Sequence, residues 1–129
     1  MNLDHWIETY RRAWEARDPS RMDDLFARDA TYRSSPFKPP HRGLDAIREY
    51  WARATASQSN VEVAMGTPVK EAGRVVVEWW ALMDDEGSPL TLPGALILDF
   101  RADGRCAALR EYYNILPGDR IPPHPGWGT

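Results

Sequence analysis

A chain of 129 residues with 43% hydrophobic and 27% charged side chains and a mean hydropathy of -0.56 has the composition of one folded globule. Its 16 basic and 19 acidic residues are interleaved, which argues against a nucleic-acid partner, and no apolar run reaches the roughly 18 residues that a membrane span needs. Asp4 and Glu8 stand where a signal peptide would be basic, and Cys106 is the single cysteine, so a cytoplasmic protein without a disulfide is expected.

From Leu3 to Arg17 the apolar residues Trp6, Tyr10 and Trp14 recur at every fourth position, with Leu3, Ile7 and Ala13 beside them, which predicts an amphipathic helix. Asp18 and Pro19 end it, because a residue before proline is pushed out of the helical region; Asp18 then caps a short second helix over Pro19 to Ala27. Its buried side is Met22, Leu25 and Phe26, and a first strand follows over Ala30 to Ser34. Ser35 to Gly43 holds three prolines and a glycine and is expected to be a loop. Beyond it, Leu44, Ile47, Tyr50, Trp51 and Ala54 mark one face of a third helix.

Past Ser59 the pattern turns to strands, Val61 to Met65, Arg74 to Met83, Leu90 to Phe100 and Cys106 to Ile115. Asp84-Asp85-Glu86-Gly87 and Ala102-Asp103-Gly104 between the last three suit antiparallel hairpins. Helices first and strands afterwards predict an α+β domain, with helices on one face of an antiparallel sheet. This domain is expected over residues 1–116. The tail over 117–129 has four prolines and three glycines, yet Ile121 and Trp127 are costly to leave in water. It is expected to pack on the domain or on a partner subunit, anchored by Trp127.

Several stretches then carry a family resemblance: Tyr10-x-x-x-Trp14-Glu15-Ala16-Arg17-Asp18, Leu25 to Tyr32, Ser35-Pro36-Phe37, Gly43 to Trp51, and Phe100 to Arg105. In order and spacing they resemble a SnoaL-like domain of the nuclear transport factor 2-like superfamily, over nearly the whole span from Leu3 to Asn114. The resemblance implies a cone-shaped α+β barrel in which about three N-terminal helices pack on a strongly curved, mostly antiparallel sheet. It also implies a pocket at the wide end and, commonly, a homodimer. Such domains include isomerases, dehydratases, epoxide hydrolases, polyketide cyclases and binders without chemistry, so the fold does not set the function.

His5, His41 and His124 are scattered, no phosphate loop or nucleophile elbow is present, and no cofactor is expected. Acid/base work in an apolar cavity remains. Strand alternation puts Leu109, Glu111 and Tyr113 on one face; Leu109 is the core residue, so Glu111 should point inward. Burial would raise its pKa and fit it for proton transfer, with Tyr32 and Tyr113 as hydrogen-bond partners. The competing role for Glu111 is a structural acceptor satisfied by a Trp N–H, a Tyr O–H or an arginine. Tyr10, Trp14, Phe37, His41, Trp51, Trp79 and Leu98 are the expected ligand-binding residues, of which Phe37, His41 and Trp51 would stand at the mouth.

Trp79 is placed inward because its face of the strand carries no charge. Trp80, Leu82 and Ile97 then point out, where they would cover a homodimer contact. The steroid-isomerase branch of the resembled superfamily sets a base Asp and an acidic oxyanion donor at positions matching Ser35 (or Ser34) and Leu96, and neither residue can do that work. An epoxide-hydrolase relay of Asp-Arg-Asp is equally unsupported, since Asp99 and Arg101 face outward. The expectation is a protein that binds a small apolar molecule, with isomerisation, dehydration or cyclisation as its chemistry. The alternative is a non-catalytic binding module or a dimeric interaction protein.

Overall fold

In the computed structural model, which describes residues 2–129, Asn2 caps the first helix by accepting a hydrogen bond from the His5 amide at 3.0 Å. This helix, α1, spans Leu3–Ala16 and stops where Arg17 takes a left-handed φ of 53°. Asp18 accepts from the Ser20 amide and caps a 3-10 turn, Pro19–Arg21, which runs into the four-residue helix α2, Met22–Leu25. The second helix is therefore shorter than its spacing suggested. Phe26 and Ala27, expected to finish it, already belong to strand β1, Phe26–Arg33. Pairing wins over local pattern here, because β1 lies parallel to β7, Cys106–Tyr113, with Phe26 opposite Cys106.

The proline-rich segment is an extended loop that contains the two-residue edge strand β2, His41–Arg42, paired to β1 at Thr31 and Tyr32. Helix α3, Leu44–Thr55, follows, then β3, Gln58–Met65, and the short β4, Val69–Glu71. The long strands β5, Arg74–Asp85, and β6, Ser88–Phe100, form a hairpin that continues into β7. A last pair of residues, β8, Leu116–Pro117, returns to the start of β6. The strand order β2-β1-β7-β6-β5-β3 makes one curved sheet that does not close. All its pairs are antiparallel except β1 with β7.

The helices lie on the concave face. Val75, Val77, Trp79, Ala81 and Met83 of β5 are all buried, so Trp79 points inward and Glu78 outward. Opposite Trp79 in the ladder stands Gly94. A Cβ on Gly94 would lie 2.6 Å from Trp79 Cζ2 and 2.7 Å from the Tyr112 carbonyl oxygen, so the indole occupies the space that any side chain there would need.

On the convex face the tail folds back over its own domain. The Thr91 hydroxyl donates to the Asp119 carbonyl and accepts from the Ile121 amide. Trp80 Nε1 donates to the Ile121 carbonyl at 2.8 Å, and Trp127 packs edge-on against the Trp80 ring. Gly128 lies against Gly66, and its carbonyl accepts from the Thr67 amide. Trp80, expected at a subunit contact, is thus covered by the chain's own C-terminal segment. Among the described residues no helix is long and apolar enough to cross a membrane. Replacing Gly94 by Ala should lower stability by about 1–3 kcal/mol through overpacking against Trp79. Urea denaturation should show this as a lower midpoint at unchanged slope.

Candidate functional site

Helix α1 contributes a ridge of aromatic rings because Trp6, Tyr10 and Trp14 stand one above another on its buried face. Trp6 stacks on Tyr10 at 5.5 Å, and Tyr10 and Trp14 both meet Trp51 of α3 edge-on. Trp14 also meets Trp79 at 5.0 Å, and its indole N–H donates to the Gln58 side chain. Between this ridge and the sheet the chain leaves a cavity of about 220 Å³. Tyr10, Trp14, Trp51 and Trp79 form its aromatic walls, with Tyr32, Tyr50 and Glu111 on another side. Leu90, Leu92, Thr55, Ala54 and Gln58 complete it, and Asp85, Tyr113 and the exposed Ile115 also contribute.

Glu111 is 7% exposed and is the one buried carboxylate among the described residues. Tyr32 donates its hydroxyl to one carboxyl oxygen at 3.3 Å, and Tyr50 donates to the other at 3.4 Å. No Lys, Arg or His lines the cavity. Burial therefore dominates and pushes the Glu111 carboxyl from its ordinary 4.5 up to about 8, although the two tyrosine hydroxyls act in the opposite direction. The same burial, together with the Glu111 charge, raises the ionisation of Tyr10 and Tyr32 well above the phenol range and that of Tyr50 and Tyr113 less far. These hydroxyls stay protonated; those of Tyr32 and Tyr50 donate to Glu111, and that of Tyr10 is buried without a partner.

The ladder shows how the two carboxyl groups of the cavity are separated. Glu111 pairs with Leu96, which pairs with Val77, whereas Asp85 is the last residue of the same strand β5. Glu111 thus sits deep in the cavity and Asp85 at the opposite end of the strand. One oxygen of Asp85 is buried without a hydrogen-bond partner.

Of the residues singled out from the sequence, Glu111, Tyr32, Tyr113, Tyr10, Trp14, Trp51 and Trp79 line this space. Three do not. Phe37 projects from the proline-rich loop and is 94% exposed, because nothing packs over that loop. Leu98 is fully buried further along β6 and belongs to the core. His41 lies behind the wall, stacked on Tyr50 at 4.4 Å, and its pKa is lowered by burial and by Arg53. It props Tyr50 rather than facing the cavity. Asp99 pairs with Arg74 and Arg101 with Asp29, both outside the cavity.

Tyr50 is the main residue that sequence reasoning missed. It shares the α3 stripe with Ile47 and Trp51, a pattern that marks a buried helix face and says nothing of a polar contact. Asp85 extends the inward alternation of Val75 through Met83 by one more step, a signal hidden by its place in a turn motif. Leu90 and Leu92 extend the inward set of Leu96 and Leu98 in the same way.

Residues 7–109 match the family of the SnoaL-like domain. No curated protein matches the sequence. Among solved structures the fold is similar to a protein of ketosteroid isomerase-like fold from Catenulispora acidiphila, solved with trimethylamine, at 24% identity and a TM-score of 0.76 over 84% of this chain and 85% of that one. It is also similar to SalBIII, an epoxide hydrolase/cyclase-like enzyme of pyran ring formation in the polyether salinomycin, at 17% identity and a TM-score of 0.75 over 86% and 89% of the two chains. A third is a provisionally named polyketide cyclase from Sinorhizobium meliloti, at 22% identity and a TM-score of 0.66 over 84% and 94%. At such identities the likeness is one of fold.

In the unfolded chain the Glu111 carboxyl loses its proton near 4.5, while the folded protein holds it up to about 8. The stability that this neutral carboxyl contributes is complete below about 4.5 and is lost as pH rises through 8. Tm followed across that interval should fall in the wild type and follow a flatter course in Glu111→Gln.

Proposed function

The chain belongs to the SnoaL-like domain family, and on that premise we propose that it binds a small, largely apolar molecule in the cavity and turns it over by cofactor-free acid/base chemistry. Glu111 is the proton donor and acceptor, with Tyr32 and Tyr113 orienting the substrate; the reaction is an isomerisation, dehydration or cyclisation. One observation carries this reading: a buried carboxyl stands in the wall of an aromatic cavity, held by two tyrosine hydroxyls and by no cation. A carboxyl so placed is largely protonated at neutral pH and close enough to its titration range to give up and recover a proton.

The chemistry follows from the geometry. Glu111 hands its proton to a basic atom of the bound molecule, and the Tyr32 and Tyr50 hydroxyls, which stay protonated, stabilise the carboxylate that forms. The aromatic walls exclude water from the transfer, so the charge that develops is felt strongly. The size of the space limits the substrate. At about 220 Å³ it exceeds the engineered apolar cavity of about 150 Å³ that holds benzene, so it takes roughly ten heavy atoms, with any larger part extending past Ile115.

A binding module without chemistry is the second reading. It draws support from Leu96, which is fully buried beside Glu111 and leaves the deep end with a single acid. A homodimer through the outer sheet face, in the cytoplasm, belongs to the same proposal. Val76 and Tyr112 stay exposed on that face, whereas Trp80 is taken by the tail.

Screening cyclic ketones and epoxides for turnover tests the catalytic reading. Glu111→Gln should lower kcat by roughly 10²–10⁴-fold on the substrate found. The wild-type rate should fall as pH rises through about 8, where the acid form is lost. Turnover unchanged by Glu111→Gln would leave only the binding reading.

A further inference from the structure

The cavity sorts ligands by charge, and this narrows the class of molecule it takes. Tyr10, Trp14, Trp51 and Trp79 present aromatic rings on its walls, and such rings are negative over their faces. Two carboxyl groups, Glu111 deep inside and Asp85 at the far end of β5, belong to the same space. No basic side chain lines it. An anion would meet two acids with no counter-charge, since the buried donors without a partner on the lining residues, the Tyr10 hydroxyl and the indole N–H groups of Trp51 and Trp79, are neutral. A neutral apolar molecule would find the rings adequate but would gain nothing from the acids. A compact organic cation would gain from both.

We propose that the occupant is a small organic amine, tertiary or quaternary, whose positive nitrogen lies against the aromatic walls within reach of Glu111 and whose entry is guided by Asp85. This inference rests on the reading of the cavity as the ligand site and names the substrate class of that site. It also assigns the working form of Glu111. The titratable groups around this carboxyl are the hydroxyls of Tyr10 on α1, Tyr32 on β1, Tyr50 on α3 and Tyr113 on β7, with Asp85 further along the cavity. His41 lies behind Tyr50, and its lowered pKa keeps it uncharged at neutral pH. None of these supplies a positive charge. A bound ammonium would, and it would draw Glu111 into the carboxylate form. Toward such an occupant Glu111 is the proton acceptor, in place of the donor role it has toward a neutral molecule, so the rate would rise rather than fall through pH 8, and a cation bound at pH 7 releases a proton to the buffer.

The test uses the purified wild-type protein and three probes of nearly one shape: choline, its uncharged isostere with a tert-butyl group in place of trimethylammonium, and the carboxylate that matches that isostere. Binding is followed by calorimetry at pH 7 and pH 9 in buffers of different ionisation heat. Choline should bind about tenfold or more tightly than the neutral isostere, with the margin wider at pH 9 and proton release at pH 7. The carboxylate should not bind. Glu111→Gln should erase the pH dependence and most of the margin, and Asp85→Asn should weaken choline mainly at low salt. Because the pH comparison is made on the wild type, the outcome does not depend on either variant folding. Equal binding of choline and the neutral isostere at both pH values would overturn the amine assignment while leaving the cavity as a ligand site. Binding of none of the three would overturn that underlying reading as well.

Discussion

The structure depends on how one helix meets one sheet. A curved sheet leaves a concave face too large for aliphatic side chains to fill, and α1 fills it with Trp6, Tyr10 and Trp14 on a single stripe. These rings meet Trp51 and Trp79 edge to face, an arrangement favoured by the ring quadrupole. Rigid planar groups packed in this way support one another without closing every gap, as flexible leucines or methionines would. The cavity is a direct result of building the core from tryptophan and tyrosine. Its shape is held by the same contacts that hold the fold, so site and scaffold are not separable here.

Into that apolar setting β7 places a carboxyl. Paired with an arginine, Glu111 would be a permanent anion and a structural ion pair. The arginines instead go to the surface, where they pair along α1 with Glu8 and Glu15, between strands with Asp99, and near the tail with Glu62 and Asp84. The distribution of basic residues thus decides the character of the site as much as the acid does. Tyr32 on β1 and Tyr50 on α3, their rings 5.2 Å apart, fix the two carboxyl oxygens without neutralising them. His41, stacked behind Tyr50, makes the proline-rich loop a support for this arrangement even though it contributes nothing to the cavity lining.

The α+β class, the three-helix start and the inward faces of β5 and β7 were legible because each rests on periodicity over many residues. Alternation joined to the absence of charge on its face sets Trp79 inward, and alternation from the core residue Leu109 does the same for Glu111. Phe26 was misplaced because a helical pattern and a strand pattern look alike over so few residues, and pairing with Cys106 decides between them. The mouth of the cavity was read poorly for a related reason. Phe37 sits in a loop, where no period constrains direction, and its exposure follows from the absence of any element above it. Leu98 was correctly judged inward, yet depth along a strand separates core from cavity, and sequence alternation carries no information about depth. Tyr50 shows the converse limit, since a packing stripe and a polar ligand to Glu111 can be the same residue.

The contact between Gly94 and Trp79 reaches beyond stability. The two positions face each other across a ladder, and the volume one leaves empty is the volume the other fills. A smaller residue at 79 would not free position 94, because the Tyr112 carbonyl oxygen also lies 2.7 Å from where a Cβ would stand, so main chain as well as indole keeps that place empty. Because Trp79 is also part of the cavity wall, the seat of this ring is set by backbone geometry, and a different ligand is more readily admitted by changes at the other wall residues.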